Sequence, residues 1–204
     1  RQTMPQEDYQ IVMINDGSAD NSGEICEQLS KEYPNITYFS KENGGVSRAR
    51  NKGMELSEGK YILFLDADDT LSDNTLEVIY DFFEEHYDET DLVTYRITPY
   101  WQKERFQRHY RFKFLKKTGV YDLTDRKFCY TAQTTMNICI KNNRENPVCF
   151  DTKLKFHEDQ KFCYEVLKEK MTIGFCKEAE YLYLRHPQST TRKTSYAYYI
   201  FESS

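Results

Sequence analysis

Short apolar runs alternate with polar loops and amphipathic stretches through the first half of the chain. Tyr9–Ile14 is apolar enough for a buried strand, and the turn formers Asn15-Asp16-Gly17-Ser18-Ala19-Asp20 follow it. Ile25, Cys26 and Leu29 mark one face of a helix that must end before Pro34. Ile36–Phe39 is the second predicted strand. Asn43-Gly44-Gly45 then opens a helix with Ser47 as its expected N-cap and Gly53 or Gly59 near its end. Tyr61-Ile62-Leu63-Phe64-Leu65 reads as a strand buried on both faces, and it stops abruptly at Asp66-Ala67-Asp68-Asp69. Leu76, Ile79, Tyr80 and Phe83 form the stripe of the next helix, and Asp91–Tyr95 is a further strand. This strand–helix alternation predicts an α/β fold with a mostly parallel central sheet flanked by helices.

Beyond residue 100 the pattern changes. Phe106, Arg108, Tyr110, Phe112 and Phe114 alternate with mostly polar residues, as in an exposed or antiparallel strand, and the span 103–117 carries seven cations against Glu104 alone. A solvated face explains that run; a contact surface for an anionic acceptor or membrane headgroups is the sharper reading. Residues 159–168 read as an amphipathic helix, and 171–176 and 181–184 as two final strands. An aromatic helix over 196–201 closes the chain.

Composition narrows the partners. The net charge of −5 over 204 residues excludes a dedicated nucleic-acid binder, whose footprint is basic. No apolar stretch reaches the roughly 18–20 residues that span a bilayer. The six Cys (26, 129, 139, 149, 163 and 176) lack any C-x-x-C pair, which favours reduced core thiols in a cytosolic protein over a disulfide framework or zinc site. Arg1 in place of Met is the expected start of a fragment.

The chemistry concentrates at the strand ends. Asp66, Asp68 and Asp69 repel one another unless a cation joins them, and a divalent ion suits carboxylates. Three chemistries share this wording. A metal-dependent nucleotide-sugar site is the first. The second resembles the haloacid-dehalogenase phosphatases, with Asp66 as nucleophile and Asp68 as general acid/base before Thr70. An EF-hand loop ending at Glu77 is the third, and it fails because Leu71 stands at the obligatory glycine position. Two polar loops at earlier strand ends, Asp16-Gly17-Ser18 and Asn43-Gly44-Gly45 with Arg48, Arg50 and Asn51, favour the nucleotide-sugar site.

Five ordered motifs then resemble a family 2 glycosyltransferase of the GT-A (Rossmann-like) fold. They are Asn15-Asp16-Gly17-Ser18-Ala19-Asp20, the run Asn43 to Gly53, Leu65-Asp66-Ala67-Asp68-Asp69, Glu158-Asp159 after the run Phe150 to Phe156, and Tyr183-Leu184-Arg185-His186-Pro187-Gln188-Ser189-Thr190-Thr191. The resemblance implies a single domain over 1–204, with a nucleotide-sugar part at 1–99 and a smaller, mixed acceptor-side part at 100–204. It implies an inverting, Mn2+- or Mg2+-dependent transfer from a nucleotide sugar, UDP-linked, to a saccharide or lipid-linked saccharide hydroxyl. Bacterial surface polysaccharide synthesis in the cytoplasm, with peripheral contact at the inner face of the membrane, is the implied setting.

By the same resemblance Asp68, with Asp66 and His186, holds the metal. Asp16, Gly17, Ser18, Asn43, Gly44, Arg50, Asp66, Arg185 and Ser189 serve the nucleotide. Asp159 is the expected general base with Glu158 beside it; the plainer role for both is to favour a helix N-terminus. The expected part of Asp69 is to cap the helix after the acidic loop. Three departures qualify the pattern: the family's opening strand is absent, Asn15 replaces an Asp, and His157 stands where the family often has Gly and narrows the acceptor side. A non-catalytic domain that only binds sugar or a partner is the remaining alternative.

Overall fold

The computed structural model describes residues 1–101, 104–105, 114–128, 131 and 134–184. The basic run of 103–117 falls largely outside these residues, as do Arg185, His186, Ser189 and the aromatic segment 196–201.

The opening βαβ unit follows the sequence pattern. Strand β1 (Ile11–Asn15) leads through α1 (Ser22–Glu32) to β2 (Ile36–Ser40), and the two strands pair in parallel from Ile11↔Ile36 to Asn15↔Ser40. Helix α1 ends at Glu32, two residues before Pro34, with Tyr33 as its C-cap. Its apolar stripe is only partly covered, and Ile25 is exposed. Helix α2 (Val46–Leu56) starts from Gly45, whose φ of +86° is open to glycine and costly for other residues. Ser47, the expected N-cap, instead lies buried inside the first turn.

A larger sheet carries the core. Strands β3 (Tyr61–Leu63), β4 (Thr70–Leu71), β5 (Leu92–Trp101), β6 (Glu104–Arg105), β7 (Gly119–Asp122), β8 (Ile138–Lys141) and β9 (Thr172–Leu184) join in the order β3-β8-β5-β9-β4, with β6 on β5 and β7 on β9. β5 and β9 are parallel, and every other pairing in this sheet is antiparallel. The sheet is therefore mixed rather than mostly parallel. The physical cause is β8, which slots antiparallel between β3 and β5 and so separates two strands that run the same way. β3 consequently lies at one end of the order, and Leu65 beyond it is 48% exposed, contrary to a run buried on both faces.

The two expected final strands are one element. β9 pairs with β5 along both halves, with a shift between Tyr95↔Cys176 and Arg96↔Glu180 that leaves Lys177–Ala179 bulged out. Helix α3 (Thr75–Glu85) buries Ile79, Phe82 and Phe83 in the core, and the Phe83 ring stacks on Tyr61 with centroids 4.3 Å apart. Helix α4 (Glu158–Leu167) buries Phe162, Cys163 and Leu167. Among the described residues, no helix is long and apolar enough to cross a membrane.

Candidate active site

The chain leaves β3 through Phe64-Leu65-Asp66 and turns at Ala67-Asp68 before β4. The Asp69 N–H donates to Asp66 O (3.1 Å), closing the turn. The turn is then stapled to β9. Tyr181 Oη accepts from the Asp66 N–H (3.1 Å) and donates to Asp69 Oδ2 (2.7 Å), while the Leu184 N–H donates to Asp69 Oδ1 (2.7 Å). Asp69 is thus a buried latch, 7% exposed, and not the cap of α3, whose N-cap residue is Asn74. Burial pushes the Asp69 carboxyl above its usual range, against the Leu184 and Tyr181 bonds that favour the charged form. Leu184 immediately precedes Arg185–Thr191 in sequence.

Asp66 and Asp68 keep more access to solvent: Asp66 is partly exposed and Asp68 exposed. The Asp66 carboxyl is held above its usual range, first by burial and then by the charges of Asp68 and Asp159, with Arg50 opposing them. A cation would relieve this crowding. Two carboxylates do not make an all-protein cage, and among the described residues no cluster of three His, Cys, Asp or Glu side chains forms one. A diphosphate-bound ion of the Mg2+ type needs only one or two carboxylates besides the phosphates, so Asp66 and Asp68 suit it.

The first two polar loops meet each other. Asp16 Oδ1 accepts from Lys41 Nζ and from the Gly44 N–H (2.9 Å), and Oδ2 accepts from the Gly45 N–H (2.8 Å). Burial raises the Asp16 carboxyl, but these donors together outweigh it and hold it below the usual carboxylate range. Asp16 therefore organises the Asn43-Gly44-Gly45 turn with both of its oxygens. Gly17 (φ +79°) lets the loops approach, because a Cβ there would sit 2.9 Å from the Asn43 backbone nitrogen. The Ser18 N–H donates to Asn15 Oδ1 (2.9 Å), which shapes the first loop.

α2 carries this arrangement to the acidic turn. Arg50 Nη1 lies 2.7 Å from Asp159 Oδ1 and 3.8 Å from Glu158 Oε1, and Nη2 lies 3.6 Å from Asp66 Oδ1. Arg50, expected at the nucleoside, lies among three carboxylates. Its neighbour Asn51 grips the main chain of Phe150, donating to its carbonyl (2.9 Å) and accepting from its N–H (2.8 Å). Phe150 stacks on Phe162 of α4 at 3.9 Å. Glu158 and Asp159 open α4 after His157, which adopts the left-handed conformation (φ +64°) and explains why glycine suits that position. Sequence reasoning did not single out Lys41, Tyr181 or Thr135, whose N–H donates to Asp159 Oδ2 (3.3 Å), since their partners lie far away along the chain.

The model of glycosyl transferase family 2 matches residues 1–141. The chain belongs to that family. It is 35% identical over 198 residues to the minor teichoic acid biosynthesis protein GgaB of Bacillus subtilis (strain 168), which covers 96% of this chain and 22% of GgaB. It is 30% identical over 186 residues to the poly(ribitol-phosphate) beta-glucosyltransferase of Bacillus spizizenii, covering 90% of this chain and 28% of that protein. The chain thus spans between about a fifth and a third of the length of these relatives. Among solved structures it is similar to S. aureus TarS 1–349 in complex with UDP-GlcNAc, with a TM-score of 0.76 and 22% identity over 94% of this chain and 54% of that one. The fold is the GT-A fold of these glycosyltransferases.

Proposed function

We propose that this chain is the donor-binding and catalytic domain of an inverting glycosyltransferase. It moves a sugar from a UDP-linked donor to a hydroxyl of a saccharide or lipid-linked saccharide acceptor in bacterial surface polysaccharide synthesis. The observation that carries the reading is the meeting of Asp66 with Glu158 and Asp159, from opposite halves of the chain, around one guanidinium. Family membership and the relatives named for teichoic acid synthesis support the substrate class. The TarS complex with UDP-GlcNAc supports a UDP-linked donor.

Asp66 and Asp68 would hold Mn2+ or Mg2+, which when bound neutralises charge on the departing diphosphate. Asp16 serves the nucleotide indirectly: it sets the Gly44 and Gly45 turn, beside which Gly17, Ser18 and Asn43 line the nucleoside side. Arg185, His186 and Ser189 are proposed to complete the diphosphate and metal contacts, following Leu184 at the acidic turn. Asp159 is the proposed general base, and a single in-line displacement then inverts the anomeric centre. The reaction is placed in the cytoplasm, with peripheral contact at the inner face of the membrane where the acceptor is lipid-linked.

Calorimetry with UDP and Mn2+ tests the donor half: binding is expected in the native protein and lost in Asp68→Ala. Asp159→Asn is expected to bind UDP as the native protein does while turnover of a UDP-sugar falls by about 10²–10⁴-fold. Undiminished turnover in Asp159→Asn would overturn the assignment of the base.

A further inference from the structure

We propose that Arg50 is the positioning residue of the proton-transfer step, holding the Asp159 carboxylate in one attitude and tying it to Asp66 on the donor side. This rests on the transferase reading above, with Asp159 as base.

Arg50 is built into its place from three directions. Its backbone belongs to α2, and the next residue, Asn51, locks the Phe150 peptide with two hydrogen bonds. The guanidinium carbon lies 5.4 Å from the Phe150 ring centroid, and that ring is stacked in turn on Phe162 of α4, the helix that begins with Glu158 and Asp159. At its tip the planar fork meets the carboxylates, with one nitrogen on Asp159 Oδ1 and the other toward Asp66 Oδ1. The side chain is only 14% exposed. A group so constrained orients whatever it binds.

The two oxygens of Asp159 are treated unequally. Oδ1 takes the short 2.7 Å bond from Arg50, whereas Oδ2 receives a 3.3 Å bond from the Thr135 N–H. Oδ2 is therefore the oxygen with a lone pair to spare for a hydroxyl. As the acceptor oxygen bonds to the anomeric carbon, its proton passes to Oδ2. The bond from that carbon to the diphosphate breaks, and its electron pair leaves with the diphosphate. Arg50 touches none of the reacting atoms; it sets the angle at which Oδ2 meets the hydroxyl and the distance of that oxygen from the donor.

The test compares Arg50→Ala, Arg50→Lys, Asp159→Asn and the double variant Arg50→Ala/Asp159→Asn. UDP affinity is read by calorimetry with Mn2+, turnover by UDP released from UDP-GlcNAc or UDP-glucose, and integrity by thermal melting. Arg50→Ala is expected to keep UDP affinity within about threefold while kcat falls about 10²-fold, the scale of a misplaced reacting group. Arg50→Lys, with one point charge that cannot span both carboxylates, falls between. Guanidinium at millimolar concentration is expected to restore part of the kcat of Arg50→Ala and none of that of Asp159→Asn. The double variant is expected to be little slower than Asp159→Asn alone, because the two residues act as a unit. Loss of UDP affinity with unchanged kcat in Arg50→Ala would make Arg50 a nucleotide ligand and overturn the proposal, as would additive losses in the double variant. Unchanged kcat in Asp159→Asn would instead overturn the reading of the base on which the proposal stands.

Discussion

A single hydroxyl sits at the centre of the acidic turn. Tyr181 Oη accepts from the Asp66 backbone and donates to Asp69, so it fixes the main chain on one side of Asp68 and the carboxylate on the other. Tyr181→Phe keeps the ring and removes both bonds. It strands the Asp66 N–H and one Asp69 oxygen in a poorly hydrated place, a cost of about 1–3 kcal/mol. Urea unfolding should show that loss, and UDP binding with Mn2+ should weaken because Asp68 is no longer held. Asp69 could not be read from the sequence as a latch. Its short polar side chain, in the loop between an apolar strand and a helix, fits a cap equally well, and the residues that claim it lie on the last described strand. Gly17 was legible, as a glycine in a tight loop, and the structure adds what it must avoid. Gly17→Ala places a Cβ against the Asn43 backbone at a φ that disfavours it, so the two loops should separate. The cost expected is about 1–2 kcal/mol or more, read as weaker UDP binding with little change in the far sheet.

At the scale of elements, α2 is the strut of the molecule. Its first turn rises from the loop that Asp16 organises, its middle carries Arg50 to the acidic turn, and Asn51 holds the segment leading to α4. The amide of Asn51 pairs with the Phe150 peptide as another peptide would, which no leucine or aspartate can imitate. Asn51→Ala is expected to cost about 1–3 kcal/mol in urea unfolding, and to lower turnover by freeing Phe150 and, through it, Arg50. The helix itself was legible from its glycine-rich start and from the glycines near its end. Its start was misplaced because Ser47 has the right chemistry for a cap, whereas the chain uses the backbone freedom of Gly45. β9 was legible in two halves only. The polar pair Lys177-Glu178 breaks its alternation, and a sequence pattern cannot distinguish a bulge from a loop.

At the scale of the molecule, the order of strands and helices announced an α/β fold, while the direction of the strands depended on β8. Ile138–Lys141, four residues of which the first three are buried, is too short to declare its partners, yet it decides that the sheet is mixed. The end of the sheet remote from the acidic turn is tied by one carboxylate. Asp91, which enters β5, accepts at Oδ1 from Lys141 at the end of β8 (2.9 Å) and from Lys170 just before β9 (3.0 Å). Burial raises the Asp91 carboxyl, but the two lysines outweigh it and hold it below its usual range. A depressed value in the folded state means that the charged form is favoured by folding. The stabilisation is therefore complete above the unfolded value of about 3.9 and is lost as pH falls through the lower folded value. Asp91→Asn should accordingly be less stable than the native protein by about 1.5–3 kcal/mol at pH 7, the scale of a hydrogen bond to a charged group. Near pH 3 the difference should shrink, since protonation begins to remove from the native protein what the substitution has already removed. Urea unfolding of both proteins at pH 7, 5 and 3 measures this directly. A difference that stays constant across the series would mean that Asp91 acts through shape and not through charge.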